Sequence, residues 1–333
     1  MFVSSSPMAR LPLIGILFVS LLSPALAEDP AYRWIDEPGK YTDLYLGDRP
    51  LARYVYEALD DSSKERREAT YKPFHHIYLP DGSGFLTKGP GGKFTHHRGI
   101  YFGFSHCTFT NAEGEEEVVD TWHSRRAHSM GTKSLESRTS ASSGGHKVEI
   151  EWRSDASGTF LTEHRDLTFQ LIDERVLQVD FVSTLITSLP GGVHLDGDPQ
   201  HAGFQFRASN EVFESTKNRT YYTRPTSGKD EPGKTINAPK NLTNAEIPGT
   251  RNVPWKGMTV VVGGESYTIL YLDHPENPKP ADSSERDYGR FGSYWAADLK
   301  PDAPLTVRYR LFIAPGEFEP EDMEAKSASF VSS

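Results

Sequence analysis

The chain has a single cysteine, Cys107, in 333 residues. No internal disulfide can form, so the fold has to be held by its core alone. A surplus of positive charge is missing as well: 46 Asp and Glu against 36 Lys and Arg leave a net charge of −10. Phosphate backbones need a basic surface, so this balance argues against nucleic acid as a partner and says nothing against a small-molecule or glycan ligand. Nor is there an apolar run long enough for a bilayer. The longest, from Leu11 to Leu22, follows Arg10 and leads to Ala25-Leu26-Ala27, a small-x-small cleavage pattern. Residues 1–27 therefore read as a secretory signal peptide. The mature chain, 28–333, is expected to be exported to the periplasm or beyond, without a membrane span. Loops that cradle phosphate and the G-x-S-x-G elbow are absent too, and KGPGGK lacks the Ser/Thr and the helix that should follow. No nucleotide cofactor is expected.

What the chain has instead is period-two alternation, the mark of strands with one face in a core. Val148, Ile150 and Trp152 alternate with Lys147, Glu149, Glu151 and Arg153, and Leu305, Val307, Tyr309, Leu311 and Ile313 share one face of LTVRYRLFI. In LTFQLIDERVLQVDF two such runs flank Asp173-Glu174-Arg175, which predicts a hairpin. Only SSKERREA and PEDMEAKSA read as helices, both short. The fold class is all-β, a large antiparallel β-sandwich. The stretch 226–252 is polar and rich in Pro, Gly and Asn. It reads as a surface excursion from one domain, because the strands on either side look alike.

Parity then sorts the polar residues of two strands. In GKFTHHRGIYFGFSH, Arg98, Ile100, Phe102 and Phe104 form a core face, opposite His97, Gly99, Tyr101, Gly103 and Ser105. An aromatic ring between glycines is one way a sheet leaves room for a ligand. In DGDPQHAGFQFRAS an apolar face of Ala202, Phe204, Phe206 and Ala208 stands opposite His201, Gly203, Gln205 and Arg207. Solvent exposure is the bland account of such a face. Ordinary wet faces favour Lys, Glu, Thr and Ser, however, whereas His, Gln and Arg beside Gly supply directional hydrogen bonds around a vacancy.

Other groups cluster nearby in the sequence. Asp120-Thr121-Trp122-His123 joins a carboxylate, an indole and an imidazole; Asp196 and Asp198 stand two apart; Asp273-His274 ends the apolar run YTILYLDHP. His75, His76, His96, His97, His106 and His123 crowd one stretch, although a lone histidine is more often a structural donor than a catalyst. CxxC, H-x-H and H-x-x-x-H helix pairs are lacking, so a divalent metal stays open only if His96 and His97 precede the strand in a loop. Cys107, among apolar neighbours, reads as core.

FTHHRGIYFGF, DTWH, LDGDPQHAGFQFRAS, LDHPENP, RDYGRFG and the closing LTVRYRLFIAPGEF together resemble the family labelled PmoA-like, or methane oxygenase PmoA, from about Tyr41 to Phe318. Where some of its members have Asp-His-Pro before the histidine pair, this chain has Lys93-Phe94-Thr95. The resemblance implies an antiparallel sandwich akin to the sugar-binding supersandwich of aldose mutarotases. From these residues the leading expectation is an exported enzyme acting on a carbohydrate by histidine acid/base chemistry, of epimerase, lyase or hydrolase type. His96, His97, His123 and His201 are the catalytic candidates. Arg98, Tyr101, Trp122, Asp196, Asp198, Gln205, Arg207, Asp273 and His274 are the candidates for binding substrate. Two alternatives stay open: a glycan-binding module without chemistry, and a histidine-ligated metal oxidase or oxygenase of the kind the family's label suggests.

Overall fold

The computed structural model describes residues 1–2, 31–132, 134–198, 200–235 and 249–332. The expected signal peptide, but for its first two residues, and the middle of the polar excursion lie outside the described residues. The alternating segments form strands, as a two-residue side-chain period requires. Val148, Ile150 and Trp152 are buried while Lys147, Glu149 and Glu151 are not. The hairpin forms with Ile172 opposite Val176, and Asp173 and Glu174 take φ of 51° and 59° to close the three-residue loop.

The chain is an all-β sandwich. One antiparallel sheet runs Tyr32–Glu37, Tyr41–Leu46, Arg49–Val55, Phe74–Ile77, Ile100–Phe104, Ala202–Arg207, Arg290–Tyr294 and Asp282–Arg286. A ten-stranded sheet has at its centre Glu265–Asp273, Leu305–Pro315, Val176–Ile186, Gly158–Ile172 and Gly144–Ser154. A four-stranded sheet includes His106–Thr110 and Val193–Asp196. The two large sheets meet through aromatic rings: Phe102 packs on Trp152 and Phe181 with centroids 5.8 and 6.2 Å away, and Phe204 stacks on Tyr309 at 4.5 Å. Burying each phenylalanine contributes roughly 1.5–3 kcal/mol, which is how a chain without disulfides is held together.

Both expected helices form. Lys64–Thr70 is capped by the Ser63 hydroxyl, which accepts from the Arg66 amide at 3.1 Å. Pro320–Val331 lays Met323 and Phe330 against Trp255, Leu270 and Leu272 of the ten-stranded sheet. Among the described residues no helix is long and apolar enough to cross a membrane.

One feature departs from the expectation. The strands Ile100–Phe104 and Ala202–Arg207 are buried on both faces. Ile100, Phe102, Phe104, Ala202, Phe204 and Phe206 enter the core, as parity predicts. The opposite face is roofed by connections that include residues 88–97 and 120–125 and Tyr288, so it is not open to solvent.

Candidate active site

The roof is where the histidines lie. His96 and His97 sit in a turn ahead of the strand that begins at Ile100, with the His97 amide donating to the Phe94 carbonyl at 2.9 Å. Two further histidines arrive by matching local devices. The Asp120 carboxylate accepts from the His123 amide at 2.8 Å and from its Nδ1 at 2.7 Å. Asp198 accepts from the Gln200 amide at 2.8 Å and from His201 Nδ1 at 2.8 and 2.9 Å. Each is an aspartate turn in which the residue at i+3 is histidine, written in the sequence as DTWH and DPQH. With Nδ1–H given to the carboxylate, the lone pair stands on Nε2.

The turns bring these rings together. His123 lies 5.0 Å from His201 between centroids, His96 lies 4.5 Å from His123 and 6.5 Å from His201, and His97 lies 4.3 Å from His96. His123 and His201 are partly exposed, with side chains 19% and 16% accessible. His96 and His123 border a cleft of about 280 Å³, whose lining includes Tyr71, Thr95, Ser124 and Arg125. His96 Nε2 is buried without a hydrogen-bond partner. Burial, followed by the charges of His123 and Lys72, pushes its pKa down to about 2. His97 is likewise held well below the usual imidazole range, by burial and then by Arg290. Both are neutral under ordinary conditions.

Beneath the histidines the roofed face is basic. Lys72 Nζ donates to the Trp122 carbonyl and lies 4.9 Å from the Tyr101 ring centroid. Lys88 Nζ donates to the Gly89, Gly91 and His97 carbonyls at 2.8, 2.6 and 3.3 Å, and burial drives its pKa down to about 7. Gln205 accepts from Arg290 Nη1 at 3.1 Å.

Several expectations are corrected here. The space over Tyr101 is filled, because Trp122 covers it with centroids 4.9 Å apart and both rings are fully buried, so neither is free to stack on a sugar. The glycines make room for backbone rather than ligand: a Cβ on Gly203, at φ 78°, would meet the Ser293 carbonyl oxygen at 1.9 Å, and one on Gly103 the Thr121 carbonyl oxygen at 3.3 Å. Arg98 spends its guanidinium on the Thr95, His97 and Glu68 carbonyls and packs on Tyr71, which ties the helix Lys64–Thr70 to the sheet. Asp196 accepts from the Tyr294 hydroxyl and the Gly197 amide, which leaves Asp198 as the partner of His201. Asp273 and His274 belong to the ten-stranded sheet and its following turn. Asp273 accepts from Asn277 and Lys279 at 2.8 and 3.1 Å, and His274 packs on Phe330. Cys107 is buried, its thiol pushed up to about 12 by burial. Among the described residues no group of three or more His, Cys, Asp or Glu is placed to hold a metal ion.

Lys72, Lys88, Tyr288 and Arg290 were not singled out from sequence. Arg290 was within reach: sorting RFGSY by parity puts Arg290, Gly292 and Tyr294 opposite Phe291 and Ser293, the same pattern as Ala202–Arg207.

A family model described as a family of unknown function, DUF6807, matches residues 41–328. The chain belongs to that family. No curated protein matches it. Among solved structures it is similar to a heparan sulfate lyase HepC mutant from Pedobacter heparinus, at 7% identity and TM-score 0.39 over 85% of this chain and 36% of that one. It thus spans about a third of that lyase's length. It is also similar to a galactose mutarotase related enzyme from Lactobacillus acidophilus, at 8% identity and TM-score 0.38 over 87% and 98% of the two chains. A galactose mutarotase-like protein from Lactobacillus casei stands at 10% identity and TM-score 0.37, over 85% and 99%. At such distances nothing of those proteins' activities carries to this DUF6807 chain.

Proposed function

We propose that the protein is an exported enzyme that acts on a saccharide by proton transfer, with Nε2 of His123 and Nε2 of His201 as acid and base. The observation that carries this reading is the pair of aspartate-backed imidazoles, 5.0 Å apart between centroids, with His123 at the edge of a cleft. A binder has no need for two side-by-side histidines held in one tautomer; a proton-transfer catalyst does. The rings stand too close for a sugar to lie between them. They serve adjacent atoms of one ligand: one nitrogen takes a proton at carbon or oxygen while its neighbour supplies one next to it. Asp120 and Asp198 are positioning residues that hold the two rings through Nδ1. The cleft is small and mixed in polarity, with hydroxyls at Thr95 and Ser124 and cations at Lys64 and Arg125, which suits a short polyhydroxylated unit. Export rests on the sequence pattern of residues 1–27.

The test is turnover of a panel of neutral and acidic mono- and oligosaccharides followed by NMR. We expect at least one to be converted, with a bell-shaped pH profile and a loss of ~10²-fold or more in His123→Gln and in His201→Gln. Unchanged rates in both variants would remove the histidines from the chemistry. Ligand binding without any conversion would leave the protein a glycan-binding module.

A further inference from the structure

The roofed face beneath the histidines holds a second constellation that the acid/base pair does not use. Arg207 and Arg290 are register partners on adjacent antiparallel strands, so their side chains leave the same face side by side. Both are buried, at 0% and 1% exposure. Like charges directly opposite in a ladder repel, and removal from water strengthens the repulsion. Among the described residues no carboxylate pairs with either. Through Nη1 each reaches only neutral oxygens: Arg207 those of Ala208 and Tyr288, Arg290 the Gln200 carbonyl at 2.7 Å and Gln205 Oε1 at 3.1 Å.

Three of their other donors are idle. Nε and Nη2 of Arg207 and Nε of Arg290 are buried without a hydrogen-bond partner, and so are the Tyr101 hydroxyl, Trp122 Nε1 and His97 Nδ1. These groups adjoin one another. Tyr101 is the register partner of Gln205, which bonds Arg290, and His97 feels the charge of both arginines. Buried polar groups are normally satisfied, and two guanidiniums without a carboxylate, flanked by an unpartnered hydroxyl and indole N–H, form a set of donors suited to an anion.

We propose that Arg207 and Arg290 form a subsite for one anionic substituent, a carboxylate or a sulfate ester, of an acidic saccharide. Guanidinium edges match such oxyanions with paired N–H donors, and the ligand's charge would relieve the repulsion between the two arginines. The Tyr288 ring lies 4.9 Å over Arg207 and Phe94 lies 4.8 Å from Tyr288, so these two rings cover the subsite and an entering anion has to displace them. The saccharide rests on the function proposed above; the anion rests on the arginines.

Calorimetric titration of the full mature protein, at fixed ionic strength, with glucuronate, glucose 6-sulfate, inorganic sulfate and glucose tests this. We expect one of the two acidic sugars to bind at least ~10-fold more tightly than glucose, and Arg207→Gln to abolish the difference. Preference for glucuronate identifies a carboxylate, and preference for glucose 6-sulfate a sulfate ester. Inorganic sulfate binding as tightly as either sugar overturns the assignment to a saccharide. Equal binding of all four, or an unaltered preference in Arg207→Gln, overturns the subsite. If that variant does not fold, co-crystallisation of the wild type with selenate decides, since the anomalous scatterer must appear between the two guanidiniums and its absence there overturns the subsite. Binding is read without turnover, so an acidic sugar held through Arg207 but never converted would retire the acid/base function and leave this inference standing.

Discussion

Between the two large sheets, Arg165 is gripped by Glu163 through Nε and Nη2 at 2.7 and 2.9 Å, and the same carboxylate accepts from Trp152 and Ser183. Several strands away, where the edge strand Asp282–Arg286 meets the end of the ten-stranded sheet, Glu285 is shared by Arg224 and by Lys256, the latter at 2.8 Å. On the roofed face, Lys72, Lys88, Arg207 and Arg290 are as deeply buried but are met only by carbonyls, one amide and aromatic rings. The contrast separates two uses of buried charge. In the interior it is cancelled within a hydrogen-bonded set, which limits the desolvation cost. On the roofed face it is left uncancelled, and the resulting positive potential, added to burial, holds His96 and His97 neutral and Lys88 at about 7. An uncancelled charge of this kind costs stability, so it marks where the fold does something other than hold itself together.

The contrast breaks most visibly at Glu163. Glu163→Ala strands Arg165 in the core and is expected to cost about 3–5 kcal/mol in urea unfolding. A loss below about 1 kcal/mol would mean that interior pairing is not what makes these cations tolerable. The second test uses pH. Burial works to raise the Glu285 pKa, but Lys256 and Arg224 outweigh it and hold it down at about 2. A carboxylate depressed on folding adds stability above its unfolded pKa and surrenders it as pH falls toward the folded value. Glu285→Gln should therefore be less stable than wild type by about 3 kcal/mol at pH 7, with the gap closing between about pH 4.5 and 2. A gap that does not close would assign the loss to packing instead of charge.

How much of this was legible in the sequence follows from the range of the interactions involved. Strand faces and the 172–176 hairpin depend on neighbours two to four residues away, and the alternation of Val148, Ile150 and Trp152 states them directly. The histidine dyads are equally local, since the D-x-x-H turns of Asp120–His123 and Asp198–His201 are written within four residues. Their convergence is not, because it depends on how segments 96–97, 120–123 and 198–201 fold over the sheet. Glycine misled for a related reason: Gly103 and Gly203 signal close approach, and nothing local says whether backbone or ligand does the approaching. Lys72 and Lys88 lie in connections without periodicity, where burial has no sequence pattern at all.

A third test sharpens the difference in pH windows. His97 has its pKa depressed by burial, then by Arg290, His96 and Arg207. A histidine depressed on folding contributes stability that is complete above pH ~6.5 and is lost as pH falls below it, at up to about 1.4 kcal/mol per pH unit. His75 and His146 in the interior add slope of the same sign. Between pH 6.5 and 5 the urea midpoints of His97→Asn and wild type should thus diverge in slope by one group's share, in a window where the gap between Glu285→Gln and wild type stays constant. Parallel curves would mean that the roofed face is wetter, and its potential weaker, than its burial implies.

The smallest effect is expected to have the opposite sign to the first. Arg207→Met removes a charge set against Arg290 together with the unpartnered Nε and Nη2, while the straight side chain keeps much of the volume beneath Tyr288. It also forfeits the bonds to the Ala208 and Tyr288 carbonyls, each worth about 1 kcal/mol. Orphaned buried donors cost about 1–3 kcal/mol apiece, so the balance favours the variant by about 1 kcal/mol. If Arg207→Met instead loses more than about 2 kcal/mol in urea unfolding, Arg207 is a structural cation of the same kind as Arg165 and the two regions are not different after all. A gain in stability accompanied by lost affinity for acidic sugars is the combination that only a binding site produces, because there the folded chain carries a charge whose partner arrives from outside.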